Sequence, residues 1–241
     1  CRDRRQRQRL ALPRIALATA ALVGLALSAG GASATTDHFT ALGPEFVVNA
    51  STNYNQYWVR VALPEDASYL ALSFNSGQDP FARQMNLDGT SLTGNLWCTP
   101  TLNTHVQDEA ETAVSTDHRQ LVAWSERSGY DGELMGIYGC IFQAGGATLT
   151  SEFQINQIWQ ASQWRPLIAS HPSGGWVVAW SGDWDGDSLF RILNSDGTFR
   201  TGDVRVNTFD NGAQTDTALA IAPDGQMLLV FVDYSGHAGL G

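Results

Sequence analysis

The chain has 241 residues, with 14 basic and 24 acidic side chains and a formal net charge of −10. It contains no lysine, and six of its arginines lie within residues 1–34, so residues 35–241 carry 8 basic and 23 acidic side chains, a net charge of −15. A surface this acidic repels phosphate backbones and anionic lipid, which excludes nucleic acid as a partner.

Residues 1–34 have the three parts of a secretory signal peptide. A basic start that includes Arg4-Arg5 is followed by the apolar run Ile15–Leu27, and Ala32-Ser33-Ala34 fits the small-residue cleavage rule. We expect cleavage before Thr35 and no membrane span afterwards, because the apolar run is short for a bilayer. The segment predicts a secreted, periplasmic or cell-surface protein. An uncleaved anchor and a twin-arginine signal are the alternatives.

A unit of slightly more than 50 residues recurs along the rest of the chain. Its landmarks are Asn49, Asn103, Asn156 and Asn207, at spacings of 54, 53 and 51. Gln56, Gln163 and Gln214 each follow an asparagine by seven residues, whereas Gln107 follows Asn103 by four. The predicted units are 50–103, 104–156, 157–207 and a partial unit 208–241, after a leading segment 35–49. A period near 50 is typical of solenoids, propellers and arrays.

Each unit has the pattern of four short strands separated by turns. In the third unit these are Leu167–Ser170, Trp176–Trp180, Leu189–Leu193 and Asp203–Val206. Turn-forming residues separate the strands, and no sustained helical period of apolar residues is present. The second strands close on equivalent aromatic residues, Phe74, Trp124, Trp180 and Phe231. The predicted fold class is therefore all-β, a β-propeller of four-stranded antiparallel blades with these aromatics packed between blades.

Two interpretations of the number of blades are open. The segment Glu45–Asn49 resembles the last strand of a unit, so in one interpretation Phe46–Val48 joins the partial unit and closes a four-bladed ring whose last blade lacks one strand. Alternatively, the chain is a fragment of a larger ring. The start at Cys1 instead of Met, and the stop at Gly241 before a third strand, favour the fragment.

Two cysteines remain after the predicted cleavage, Cys98 and Cys140. Two thiols in a secreted protein are most simply one disulfide. Cys98 falls in the last strand of the first unit and Cys140 in the third strand of the second unit, so this bond would join neighbouring blades.

The loop after the second strand of the third unit is the candidate metal site. Asp183, Asp185 and Asp187 alternate along it, with Gly186 for the turn, and oxygen ligands at this spacing can converge on Ca²⁺. The match to known calcium loops is incomplete, because Ser188 and Leu189 stand where such loops have glycine or an acid. A plain acidic turn is the alternative.

No catalytic motif with its full set of residues is present. The acidic cluster Asp108, Glu109 and Glu111 is interpreted as a solvated segment between units, with paired carboxylates for glycoside chemistry as the alternative. Trp159 and Trp164 flank Gln163 and are candidates for stacking on sugar rings, with packing beneath a loop as the alternative.

These features resemble a family of bacterial secreted repeat proteins. The matching residues are Glu152–Asn156, Gln163, Gly174–Trp180, Asp185-Gly186, Gly136-Ile137 with Phe142, and Asp196–Thr198. The resemblance spans nearly all of the chain after the signal peptide and implies a β-propeller. Repeats of this kind usually belong to large surface or secreted proteins without an assigned activity, so no catalytic residue follows from it.

The sequence favours a non-enzymatic extracellular propeller that binds a protein or glycan ligand through loops at one end, since loops on a rigid scaffold commonly carry function. A secreted carbohydrate-active hydrolase or lyase and a purely structural repeat of a large surface protein are the alternatives.

Overall fold

The computed structural model describes residues 45–50, 54–100, 106–129, 134–182, 186–208 and 212–235. Every regular element in these ranges is a β-strand, which confirms the all-β prediction. The strands belong to one compact unit, Val47–Gly241. The predicted signal peptide lies outside the described residues.

In the described ranges fourteen strands form four antiparallel sheets, and strands that follow each other in sequence are neighbours in each sheet. The first sheet contains β1 (Gln56–Ala62), β2 (Leu70–Ser76), β3 (Asp79–Met85) and β4 (Leu96–Trp97). The second contains β5 (Gln107–Val114), β6 (Gln120–Glu126), β7 (Gly136–Phe142) and β8 (Thr148–Gln154). The third contains β9 (Gln163–Ser170), β10 (Trp176–Gly182), β11 (Ser188–Leu193) and β12 (Val204–Arg205). The fourth contains β13 (Gln214–Ile221) and β14 (Met227–Asp233). We call β1, β5, β9 and β13 the leading strands.

The core lies between successive sheets. Side chains alternate along β6, so Val122 and Trp124 pack with residues of the first sheet, whereas Leu121 and Ala123 pack with Trp176 and other residues of the third. The predicted packing aromatics Phe74, Trp124 and Trp180 are all buried, and Phe231 in the fourth sheet is half-buried. Both faces of the second sheet are therefore covered by its neighbours.

The seven-residue spacing of asparagine and glutamine corresponds to a hydrogen bond at the junction between two sheets. Asn156 Nδ2 donates to Gln163 Oε1 at 2.9 Å, and Asn207 Nδ2 donates to Gln214 Oε1 at 3.1 Å. Each asparagine oxygen also accepts a backbone N–H from the third strand of its own sheet, from Ile137 at 2.8 Å for Asn156. The asparagine thus joins the end of one sheet to the leading strand of the next.

In the first sheet a different residue stands at the position equivalent to Asn156. Cys98 N donates to Pro80 O of β3, and Ile155 N donates in the same way to Ile137 O of β7. Thr99, which follows Cys98, therefore holds the position that Asn156, which follows Ile155, holds in the second sheet. Asn103, the landmark expected here, lies outside the described residues. Thr99 lies eight residues before Gln107, which explains why counting from Asn103 gives an irregular spacing.

The segment before β1 is not a strand, although its sequence resembles one. Its contacts still match those of a last strand. Arg83 donates to Val48 O as Arg191 donates to Ile155 O, and Asn49 Nδ2 donates to Gln56 Oε1 at 3.3 Å. Val48 and Asn49 therefore hold the position against the first sheet that Ile155 and Asn156 hold against the third.

The structure joins Cys98 and Cys140 in a disulfide, with Cα atoms 5.7 Å apart. Cys98 follows directly after β4 and Cys140 lies in β7, so the bond joins the first sheet to the second. Both cysteines are buried among the residues that fill the space between these sheets.

We predict that Asn156→Ala destabilises the protein by about 2 kcal/mol, because it leaves the buried Ile137 N–H and Gln163 Oε1 without their partner. Urea unfolding of the variant against the parent protein measures this. The matched control is Gln160→Ala, since Gln160 is exposed and uses its backbone carbonyl to accept from Gln163. Equal stabilities of the two variants would contradict the junction role.

Tyr69 links the first two sheets at the end opposite the asparagine junction. Its hydroxyl donates to His118 O at 2.9 Å. Burial is the main cause that raises the pKa of Tyr69 to about 12, and the carboxylates of Asp66 and Asp117 add to it.

The folded state therefore favours the neutral phenol, which stabilises the protein below the ordinary tyrosine pKa, and this stabilisation is lost as the pH rises towards the folded-state pKa. After allowance for solvent screening, we predict that the parent loses about 2 kcal/mol relative to Tyr69→Phe over this range. Unfolding free energies measured from neutral to strongly alkaline pH test it, with Tyr54→Phe as the control because Tyr54 is exposed. A difference between parent and Tyr69→Phe that does not change with pH would exclude this role.

Candidate functional site

The four leading strands lie side by side, β1 against β5, β5 against β9 and β9 against β13. Each is interrupted by a β-bulge at the same place, close to its start, where the register with the second strand of its sheet shifts. A bulge bends the strand and redirects side chains, and bulges are common next to binding sites.

One residue in each bulge has a left-handed backbone, always two positions after the junction glutamine. The four are Trp58 with φ 55°, Glu109 with φ 58°, Arg165 with φ 52° and Asp216 with φ 53°. We call these four residues the bulge row. A residue with a side chain adopts this conformation at a cost of about 1–2 kcal/mol, so the surrounding structure has to impose it.

Polar side chains of the preceding sheet supply that constraint. Asn75 Nδ2 donates to Gln107 O and Asn75 Oδ1 accepts from Ala110 N, both at 3.1 Å, on either side of Glu109. Ser125 Oγ accepts from Arg165 N at 3.0 Å. Asn75 and Ser125 are fully buried. The bulges of β5 and β9 are therefore held by the contact with the preceding sheet and not by the local sequence alone.

Charged side chains of the bulge row connect adjacent leading strands. Arg165 lies between Glu109, 3.7 Å away, and Asp216, with which it forms a close ion pair. Glu109 Oε2 accepts from Ser125 Oγ at 2.8 Å and from Arg165 N at 2.9 Å. Arg127, next to the end of β6, lies 3.6 Å from Glu109 and 3.2 Å from Asp108. The result is a network of two cations and three carboxylates across β5, β9 and β13.

The interpretation of Asp108, Glu109 and Glu111 as a solvated segment between units is wrong. All three lie in β5, and the Glu109 side chain is only 9% exposed. Glu111 pairs with Arg60 of β1 at 2.8 Å. Burial raises the pKa of Glu111, and the Arg60 guanidinium opposes that rise. The cluster is part of the packed contact between leading strands.

Aromatic side chains accompany the charges at the same level. Trp58 is 41% exposed, and the Arg60 guanidinium carbon lies 5.8 Å from the centre of its ring. Trp164 is half-buried, with the Arg165 carbon 4.7 Å from its ring centre. The Tyr57 hydroxyl donates to Gly77 O, and burial followed by the Asp108 carboxylate raises its pKa.

The two tryptophans predicted to bind sugars lie on different elements. Trp164 is in β9, next to Arg165 of the bulge row. Trp159 is exposed on the loop between β8 and β9. Asp203 Oδ2 holds that loop by accepting from Gln157 N and Ile158 N, both at 2.7 Å. Only Trp164 therefore belongs to the site around the bulge row.

The calcium prediction concerns residues that are mostly outside the described ranges, namely Asp183 and Asp185. Asp187 is described, and its carboxylate accepts from Asn207 Nδ2 at 2.7 Å and lies 3.5 Å from Arg205. Because Asp183 and Asp185 lie outside the described residues, the calcium site stays a prediction. Among the described residues no group of three or more His, Cys, Asp or Glu side chains is placed to hold a metal ion.

Sequence reasoning missed most of the residues in this site, including Trp58, Arg127, Arg165 and Asp216. A signal was present, since every bulge residue stands two positions after a landmark glutamine. The residue types at that position differ in all four strands, so neither a charge pattern nor an apolar period identifies it.

Comparison with protein-family models finds no matching family, and comparison with curated proteins finds no similar protein. Within the described residues, no helix has the length and apolar character needed to cross a bilayer.

Proposed function

We propose that the four sheets are successive blades of a β-propeller and that the bulge row forms a glycan-binding site on it. Consecutive sheets with sequential strand order, leading strands side by side and shared apolar faces are the arrangement that such a fold requires. The position of Val48 and Asn49, equivalent to Ile155 and Asn156, supports a preceding blade whose last strand comes from this segment.

The observation that carries the binding function is the strained backbone of the bulge row. Four adjacent strands each hold a residue with a side chain in the left-handed region, where glycine would cost less. Strain of this kind is concentrated at binding and active sites, because it fixes side chains before the ligand arrives. Here the bulges direct the side chains of Trp58, Arg165 and Asp216 away from the regular strand pairing of their sheets. All three residues are exposed or partly exposed.

A sugar suits the chemistry of these side chains. Sugar rings present apolar C–H faces that stack on accessible indoles, and the exposed Trp58 and the half-buried Trp164 supply such surfaces. Their hydroxyl groups both donate and accept hydrogen bonds, which matches Arg165 beside the carboxylate of Asp216. The acidic surface of the chain is compatible with a neutral polymer.

The protein would meet this glycan outside the cytoplasm and would bind it without catalysing a reaction. A glycan of the cell surface or of the surroundings is within reach of a secreted, periplasmic or surface protein, as the signal sequence predicts. The carboxylates of Asp108 and Glu109 are engaged by arginine, and that of Glu109 also by a serine hydroxyl, which favours binding over acid–base chemistry. Binding of a protein ligand and hydrolysis of a glycan are the outcomes that would replace this proposal.

A glycan array followed by calorimetric titration of the best ligand tests the function. We predict that Trp58→Ala and Trp164→Ala each weaken binding about tenfold, the equivalent of about 1.4 kcal/mol. Trp97→Ala is the matched control, because Trp97 is 43% exposed but lies in β4, away from the leading strands.

The control variant should bind as the parent does, and the glycan should be recovered intact after long incubation. Equal losses of glycan affinity in all three variants would show that the ligand does not bind at the bulge row. Release of shortened sugars would show an enzyme, and an array without any bound glycan would overturn the proposal.

A further inference from the structure

The fourth sheet has an apolar face that no described part of the chain covers. Leu228, Val230 and Val232 alternate along β14 and are 63%, 51% and 44% exposed, and Ala218 and Ala220 of β13 are exposed next to them. We call these five residues the tail face. Within the described residues, β14 pairs only with β13, whereas β2, β6 and β10 each pair with strands on both sides.

The same face of the other sheets shows what covers it. Val230 forms the first pair after the bulge of its sheet, as Ala179 does in the third sheet and Ala123 in the second. Ala179 and Ala123 are fully buried, and Ala123 lies in the cluster formed with the third sheet. For Ala123 the covering group is therefore the next sheet along the chain.

The first sheet carries the complementary surface. Val59, Val61 and Leu63, in β1 and directly after it, are 47%, 50% and 47% exposed, and we call them the head face. Val61 pairs with Leu72 as Ile168 pairs with Val178, so Val61 and Ile168 are equivalent. Ile168 packs against the core cluster between the second and third sheets. The head face thus corresponds to the surface that, inside the chain, covers the preceding sheet.

We infer that a second copy of this chain docks its head face on the tail face, in a head-to-tail contact that repeats the contact between successive sheets. Both surfaces are apolar, and each is the counterpart of one half of an interface already present within the chain. A head-to-tail contact uses two different surfaces, so each end copy keeps one surface free for another copy. The inference does not depend on glycan binding.

Sedimentation and light scattering of the full chain over a wide concentration range test the inference. The parent should reach twice the mass of one chain or more as its concentration rises. Val61→Asp places a charge in the head face, and Val230→Asp places a charge in the tail face. Each variant alone should therefore have the mass of one chain. An equimolar mixture should give a dimer that does not grow further, because each variant keeps the surface that the other lacks.

Leu87→Asp is the control, since Leu87 is 43% exposed in the turn after β3 and belongs to neither face. It should associate like the parent. Circular dichroism checks that each variant folds, and Val61→Ser with Val230→Ser repeats the experiment if an aspartate prevents folding. A parent with the mass of one chain at every concentration, or a mixture that shows no dimer, would overturn the inference.

Discussion

Each sheet of this protein has two apolar faces, and the need to cover both determines the rest of the structure. A sheet with Val122 and Trp124 on one side and Leu121 and Ala123 on the other cannot be stable alone in water. Its neighbours provide the cover. The specific bonds of the fold accordingly lie where sheets meet: the asparagine–glutamine pairs, the Tyr69 hydroxyl and the disulfide. These bonds fix which residues face each other, while burial supplies the larger part of the stability.

The same contacts create the candidate site. A buried side chain of one sheet, such as Asn75 or Ser125, bonds to the backbone of the next leading strand and holds it in a bulge. The strain at Glu109 and Arg165 is thus stabilised by inter-sheet packing. Because the bulge recurs at one level of every leading strand, the redirected side chains form a row. Their types differ from strand to strand, so a common backbone carries a surface of mixed aromatic and charged groups.

Local sequence was sufficient for the strands and turns, and for the burial of Phe74, Trp124 and Trp180, since these follow from residue types and short spacings. The asparagine and glutamine landmarks were visible, but their hydrogen bond links two sheets and no local pattern shows it. Thr99 was missed because a residue type other than asparagine stands at that position. The Glu109–Arg165–Asp216 network joins three sheets, and the left-handed bulges depend on neighbours distant in sequence. Glu45–Asn49 has a strand's sequence and contacts the first sheet through Val48 and Asn49, but it is not part of any sheet among the described residues.

Native-state hydrogen exchange, resolved by residue, tests the central requirement that neighbouring sheets cover each other. The amides of β6 and β10, whose side chains are buried throughout, should exchange only through global unfolding of the chain. The amides of β14, which has one exposed face, should exchange through a smaller opening and at least about tenfold faster. Equal protection of β14 and β6 in a single-chain protein would contradict the account, because a sheet with an uncovered face would then be as stable as one covered on both sides.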